Sequence, residues 1–180
     1  MSEVVAPIWD AGHPEESYTL LARQIAALAA GEEDLLAAVA NGVALLARVL
    51  PEVNWVGVYR AAEGTLHLGP FQGAPACTRI PFGRGVCGDA ALGRRTLLVP
   101  DVDDYPGHIV CDPGARSEIV LPLVRGDRLL GVLDLDAPRP GRFTEVDQHG
   151  LEGVCRAWLD ALAPLLRPDR ARALFPVLGS

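Results

Sequence analysis

The stretch that decides the fold is "SEIVLPLVRGDRLLGVLDLDAP", residues 117–138. Two aliphatic runs flank Gly126-Asp127, a dipeptide that favours the tight turn of an antiparallel hairpin. In the second run, leucine and aspartate alternate, and successive side chains of a strand lie on opposite faces. The sequence therefore predicts a hairpin whose second strand turns two leucines to the core and turns Asp134 and Asp136 to the other face.

Further strands are predicted upstream of this hairpin, again with short connections. "NWVGVYR" (54–60) and "TLHLGPFQG" (65–73) flank the turn "AAEG" and have the composition of paired strands. Two shorter strands are predicted in "CTRIPF" (77–82) and "RTLLVPD" (95–101). Consecutive strands joined by tight turns predict a largely antiparallel sheet.

Helical periodicity predicts two N-terminal helices, one ending at Gly31 and the next before Pro51. A short helix is predicted in "GVCGDAALG" (85–93), and a long C-terminal helix after Thr144, an N-cap with Asp147 three residues on. Terminal helices that cover one face of an antiparallel sheet give an α+β fold. A small-molecule pocket is then expected on the opposite face, under the short helix and the long loop after the fourth strand.

Composition and charge narrow the possible classes of function. The 180 residues, 49% of them apolar, suit one domain with a full core. A net charge of −7 argues against a nucleic-acid surface, which needs a basic patch. The sequence contains no run of about 18 apolar residues, so no membrane span is predicted. The N-terminus lacks the pattern of a secretory signal. We therefore expect a cytoplasmic protein, and structural disulfides are rare in that compartment.

Three of the four cysteines, Cys77, Cys87 and Cys111, lie in loop-like settings, which suggests thiol chemistry. Cys87 lies at the start of the predicted short helix, beside Arg84. The helix N-terminus and the arginine charge are both expected to lower the pKa of its thiol. Cys111 lies near His108, which could assist proton transfer. The alternatives are small buried side chains or a zinc site formed by the three cysteines and His108, but the spacing contains no C-x2-C knuckle.

Carboxylates and aromatic rings supply the other candidates. Asp134 and Asp136 form either a solvated outer face or a pair that holds a cation such as an ammonium group. Glu118, at the start of the neighbouring strand, is either a surface residue or a pocket acid with a raised pKa. Trp55 and Tyr59 share one strand face, where they either pack in a core or wall a site for a methyl, cationic or sulfur group.

Together these stretches resemble the free methionine-(R)-sulfoxide reductases, which are GAF-domain enzymes. The motifs that carry the resemblance are NWVGVY, LGPFQG, ACTRIPFGRGVCG, GHIVCD, SEIVLPL and GVLDLD. The resemblance covers about residues 35–166. It implies a GAF-like domain with a central antiparallel sheet flanked by N- and C-terminal helices, and a homodimer. We expect residues 1–180 to form one such domain, with a short N-terminal helical lead and a C-terminal tail.

The resemblance also implies roles for the thiols in a reaction that needs no cofactor or metal. Cys111 would attack the sulfoxide, and Cys77 and Cys87 would be the partners that resolve the product as a disulfide. Glu118 would be the pocket carboxyl that protonates the sulfoxide oxygen. An external dithiol such as thioredoxin would then reduce the disulfide.

The remaining implied site residues bind the substrate. Asp134 and Asp136 would hold the amino group of free methionine-(R)-sulfoxide, and Trp55 and Tyr59 would form an aromatic wall. A peptide-bound methionine has no such ammonium group, so these acids would reject it. The alternative is a non-catalytic GAF domain that senses a small ligand.

Overall fold

A computed structural model describes residues 9–109, 111 and 113–166. The tail predicted after residue 166 and the first eight residues of the lead lie outside the described residues. The elements follow the predicted order: α1 (Pro14–Ala30), α2 (Leu35–Val49), β1 (Trp55–Ala62), β2 (Thr65–Gln72), β3 (Arg79–Pro81), α3 (Gly85–Gly93), β4 (Leu97–Val99), a 3₁₀ helix (Val102–Asp104), β5 (Ser117–Arg125), β6 (Arg128–Ala137) and α4 (Glu145–Ala161).

The strands form one antiparallel sheet in the order β3-β2-β1-β6-β5-β4. Both predicted hairpins are present, and the glycine of each turn has a positive φ, 57° at Gly126 and 73° at Gly64. The two hairpins meet because β6 pairs with β1 as well as with β5. This pairing brings residues from the two halves of the chain onto the same central strands, as the α+β fold requires.

One face of the sheet carries the main hydrophobic core. Helices α2 and α4 pack there against apolar side chains of the central strands, including Leu133 and Leu135, as predicted, and α1 packs on α4 and α2. Cys155 is buried in the same core beside Leu151 and Trp158, where its helical spacing predicts it. No helix within the described ranges is long and apolar enough to cross a membrane.

Polar contacts fix α1 against α4. Thr144 caps α4 and forms a reciprocal capping box with Asp147, as its sequence predicts. Asp147 also accepts a hydrogen bond of 2.7 Å from the Tyr18 hydroxyl and one of 3.0 Å from the Arg142 guanidinium. Because all three side chains are buried, this cluster, which we call the helix-docking cluster (Tyr18, Arg142 and Asp147), ties the first helix to the last.

The opposite face of the sheet is covered by α3 and by the loop that follows β4. A second, smaller hydrophobic cluster fills this space, and it contains Trp55, Tyr59 and Cys87. Two strands are shorter than predicted: β3 is limited to Arg79–Pro81, so that Cys77 precedes it in a loop, and β4 is limited to Leu97–Val99. The candidate site lies on this face.

Candidate active site

A narrow cavity of about 30 Å³, which opens to solvent, lies between the sheet, α3 and the loop after β4. Six of the eight site residues predicted from the sequence and its resemblance line this cavity, and its described lining comprises Tyr59, Ile80, Arg84, Gly85, Val86, Cys87, His108, Ile109, Cys111, Ala115, Glu118, Asp134 and Asp136. The pocket therefore forms on the predicted face of the sheet.

Strand register brings the three acids together. Glu118 on β5 lies directly opposite Asp136 on β6, and Asp134 lies two residues away on the same face. All three carboxyl groups are buried. One of the two alternatives predicted for the aspartates, a solvated outer face, is therefore wrong, because α3 and the loop cover this part of the sheet.

Burial dominates the electrostatics of these acids. Burial, followed by the charges of Asp134 and Asp136, raises the pKa of Glu118 well above its usual value. Burial also raises the pKa of Asp134 to about 7. Asp134 forms side-chain hydrogen bonds with Cys87 and Glu118, yet its Oδ1 has no hydrogen-bond partner among the described residues. In the same part of the chain, neither acid forms an ion pair with an arginine. The buried acids therefore lie together without a cationic side chain paired to them.

Cys87 occupies the first turn of α3, with its sulfur directed at these acids. Its thiol donates a hydrogen bond to Oε1 of Glu118 over 3.8 Å. The expectation of a lowered thiol pKa at this helix N-terminus is wrong. Burial, followed by the charges of Asp134 and Glu118, raises the pKa of Cys87 well above the usual value.

The other two loop cysteines are joined to each other. A disulfide links Cys77 and Cys111, whose Cα atoms are 5.3 Å apart, while Cys87 stays a free thiol. Cys77 and Cys111 are only partly buried, so a second protein can reach this edge of the cavity. The zinc site of three cysteines and His108 is excluded in this state, because two of its sulfur atoms are bonded to each other.

His108 contributes to the cavity in a way that the sequence did not indicate. Its Nε2 lies 3.9 Å from Oε2 of Glu118, so the imidazole faces the acid, whereas sequence proximity had suggested Cys111 as its partner. Burial lowers the pKa of His108 below its usual value, which favours the neutral ring. The same long loop thus brings a thiol and an imidazole to one cavity.

Arg84 and Gly85 were not recognised as pocket residues from the sequence. Gly85 has a φ of +63°, and a side chain there would come within 3.1 Å of Ile109 on the covering loop. This position therefore favours glycine on two grounds, backbone conformation and space. The GRGVC motif could have indicated this close contact, since a glycine at the first residue of a helix allows another chain segment to approach closely.

The two aromatic residues divide their roles. Tyr59 lines the cavity, whereas Trp55 stacks between Tyr59 and Phe71, with centroid separations of 5.9 and 5.6 Å. Trp55 also lies over Gly57, where an added Cβ would be 2.2 Å from its ring. In the cavity as described, Trp55 therefore supports the wall from behind.

Comparison with known proteins gives a family to this arrangement. The GAF domain family matches residues 33–166. The chain is 50% identical over 136 residues to the free methionine-R-sulfoxide reductase of Escherichia coli. This match covers 76% of this chain and 82% of the relative. The chain belongs to the free methionine-R-sulfoxide reductase family of GAF-domain proteins.

Two further matches cover most of the chain. Protein YtsP of Bacillus subtilis is 49% identical over 154 residues, covering 84% of this chain and 94% of that relative. The solved structure of the free methionine-R-sulfoxide reductase of Neisseria meningitidis, in complex with its substrate, superposes with a TM-score of 0.82 at 37% identity. That match covers 94% of this chain and 99% of the Neisseria chain.

Proposed function

We propose that this protein reduces free methionine-(R)-sulfoxide to methionine. The observation that carries the proposal is one cavity with two sets of groups, buried acids along its floor and a Cys77–Cys111 disulfide at its edge. The names of the E. coli and Neisseria relatives give the same substrate. A sulfoxide needs both a proton donor and a thiol to lose its oxygen, and the cavity supplies both.

Charge and shape would select a free amino acid. We assign the substrate ammonium to Asp134 and Asp136, because Oδ1 of Asp134 is buried with no hydrogen-bond partner among the described residues. We assign the substrate carboxylate to Arg84 and to the first backbone N–H groups of α3, where the helix dipole favours an anion. A peptide presents no ammonium at this point, so it would leave the acids without a cation.

Protonation is the first chemical step of the proposed reaction. Glu118 is kept neutral by burial, and it would donate its proton to the sulfoxide oxygen while the thiolate of Cys111 attacks the sulfur. Attack gives a sulfurane, in which the Cys111 sulfur is bonded to the substrate sulfur and the hydroxyl group is still on the substrate. The hydroxyl group then migrates to the Cys111 sulfur as the substrate sulfur–oxygen bond and the transient sulfur–sulfur bond break, so methionine leaves and Cys111 becomes a sulfenic acid. Cys111 is thereby oxidised by two electrons, and the substrate sulfur is reduced by two.

The second thiol removes the oxygen as water. The thiolate of Cys77 would attack the sulfenic sulfur of Cys111, forming the disulfide and releasing hydroxide that takes up a proton. The Cys77–Cys111 bond supports Cys77 as the resolving thiol. The role of a second resolving partner, which the resemblance implied for Cys87, is less well supported, because its sulfur is buried against Glu118. We assign to Cys87 the orientation of that acid.

Turnover then requires an external dithiol, and we propose thioredoxin or a similar protein in the cytoplasm. Exchange proceeds by attack of a thiolate on one sulfur of the disulfide. Cys77 and Cys111 are both partly exposed, which supports access by such a protein. We also propose a homodimer, as the resemblance to this family implies.

A coupled assay tests the proposed function. Free methionine-(R)-sulfoxide should drive NADPH consumption in the presence of thioredoxin and thioredoxin reductase. Cys111→Ser should abolish the consumption, and Cys155→Ser, a thiol buried in the main core, should retain it. A non-catalytic GAF sensor would bind the compound without consuming NADPH, and that result would overturn the proposal.

A further inference from the structure

Three metal-ligating groups from three elements converge at the base of the cavity. They are the thiol of Cys87 on α3 and the carboxyl groups of Glu118 on β5 and Asp134 on β6. One ligand atom from each lies within 4.8 Å of the other two, and all three residues are buried. The reduction described above uses the two acids but gives the buried thiol no direct contact with the substrate sulfur.

The spacing suits a tetrahedral cation. Zinc bonds of about 2.3 Å to sulfur and about 2.0 Å to oxygen place the two ligand atoms about 3.5 Å apart. The sulfur of Cys87 and Oε1 of Glu118 are 3.8 Å apart, so a small side-chain movement completes the geometry. Nε2 of His108 lies 3.9 Å from Oε2 of Glu118, but His108 is outside the group of three residues whose ligand atoms lie within 4.8 Å of one another. The site therefore has three protein ligands, and a water molecule can fill the fourth position.

An independent observation points to a cation at this place. Oδ1 of Asp134 is buried and has no hydrogen-bond partner within the described part of the chain, while the residue is only 6% exposed. A carboxylate oxygen in that condition loses its hydration without replacement. A bound cation would supply the missing partner.

The ligand types decide which class of cation fits. Magnesium and calcium prefer six or more oxygen ligands, whereas a thiolate with carboxylates suits zinc. Cys87 stays outside the Cys77–Cys111 disulfide, so the redox cycle leaves this ligand intact. Binding would release the protons of Cys87 and Glu118 to solvent.

We propose that Cys87, Glu118 and Asp134 bind a zinc-class divalent cation. Because substrate and cation both use Glu118 and Asp134, only one of them occupies the cavity at a time. The cation is therefore an inhibitor that competes with the sulfoxide. The competition rests on the proposed function, but the metal site itself does not.

Cobalt absorption tests the site without any turnover. The parent protein is the full chain carrying Cys77→Ser and Cys111→Ser, which leaves Cys87 and Cys155 as its thiols. Cobalt(II) should bind one per chain with a thiolate-to-cobalt charge-transfer band, and zinc should remove that band. Adding Cys87→Ser should abolish the band and weaken zinc binding at least about 100-fold, since loss of even an outer-shell partner costs about 10- to 100-fold.

Matched variants separate this result from misfolding and from binding elsewhere. Cys155→Ser should keep the band, and Asp134→Asn should weaken zinc binding about tenfold or more while the circular dichroism spectrum is unchanged. A folded parent without the band would overturn the proposal, as would a band that persists after Cys87→Ser. A protein without reductase activity would still show the band, so failure of the proposed function is distinguishable.

Discussion

Two buried clusters of this molecule contain carboxyl groups, and they differ in what surrounds those groups. In the helix-docking cluster, the Asp147 carboxylate is paired with the Arg142 guanidinium and the Tyr18 hydroxyl. In the cavity, Glu118 and Asp134 lie near a thiol and, across 3.9 Å, a neutral imidazole, with no arginine paired to either acid among the described residues.

This difference sets opposite protonation states. Burial raises the pKa of Asp147, but hydrogen bonds from Tyr18, Arg142 and Thr144 outweigh that effect, so its pKa is lowered overall. The pKa of Glu118 is raised by burial and by its acidic neighbours. A buried acid paired with a cation ties elements together, whereas a buried acid without a cationic partner is available to a ligand.

The largest expected effect is on stability and comes from the helix-docking cluster. Asp147→Ala should lower the free energy of unfolding by about 3 kcal/mol, because Arg142 stays buried without its partner. Denaturant titration measures this loss, and activity per folded molecule should be unchanged. Asp160→Ala on the exposed side of the same helix is the control, with an expected change within about 0.5 kcal/mol.

The sign of the pH dependence follows from the lowered pKa of Asp147. Its contribution to stability is present above the unfolded value near 3.8 and is lost as the pH falls through the lower folded value. The deficit of Asp147→Ala should therefore shrink below about pH 3.8. A deficit that is equally large in strong acid would mean that the ion pair does not stabilise the fold.

The opposite behaviour is expected in the cavity. Glu118→Gln should lower kcat/KM for free methionine-(R)-sulfoxide about 100-fold, since the amide cannot donate the required proton. Stability at neutral pH should be unchanged or higher, because a buried acid with a raised pKa opposes folding once the pH exceeds its unfolded value near 4.5. Glu33→Gln, at an exposed position, is the control. If Glu118→Gln lost stability but kept full activity, Glu118 would be a structural residue and not the proton donor.

Much of the fold could be predicted because its signals are local. Alternation along residues 131–136 separates the core leucines from the cavity aspartates, and the confirmed helix ends depend on Gly31, Pro51 and the Thr144 cap. These signals require only the geometry of one strand or one helix turn. The face of the sheet that carries the pocket could also be predicted, because the terminal helices cover one face and leave the other for α3 and the loop after β4.

The errors concern burial, which depends on distant parts of the chain. Cys87 has an arginine and a helix start beside it in sequence, but Glu118 and Asp134 approach its sulfur from strands more than thirty residues away. Their proximity and the loss of water reverse the expected direction of its pKa shift. The choice of Cys77 as the partner of Cys111 is equally nonlocal, with a sequence separation of 34.

A smaller effect is expected from the acid that would read the substrate ammonium. Asp134→Asn should raise KM for free methionine-(R)-sulfoxide about tenfold, the equivalent of one lost charge-assisted hydrogen bond. The N-acetylated substrate, which has no ammonium, should be discriminated against less strongly by the variant than by the parent. Equal discrimination by both proteins would remove the assignment of Asp134 to the ammonium group.

The protonation state of Glu118 in the substrate-free protein tests the contrast between the two clusters most directly. Carboxyl ¹³C chemical shifts can be followed against pH in reduced protein labelled at glutamate and aspartate, with Glu118→Gln and Asp147→Asn to assign the signals. We predict that Glu118 stays protonated at pH 7 while Asp147 is ionised at every pH above about 4. An ionised Glu118 at pH 7 would mean that the acid assigned to protonate the sulfoxide has no proton to donate, and the contrast between the two clusters would be wrong.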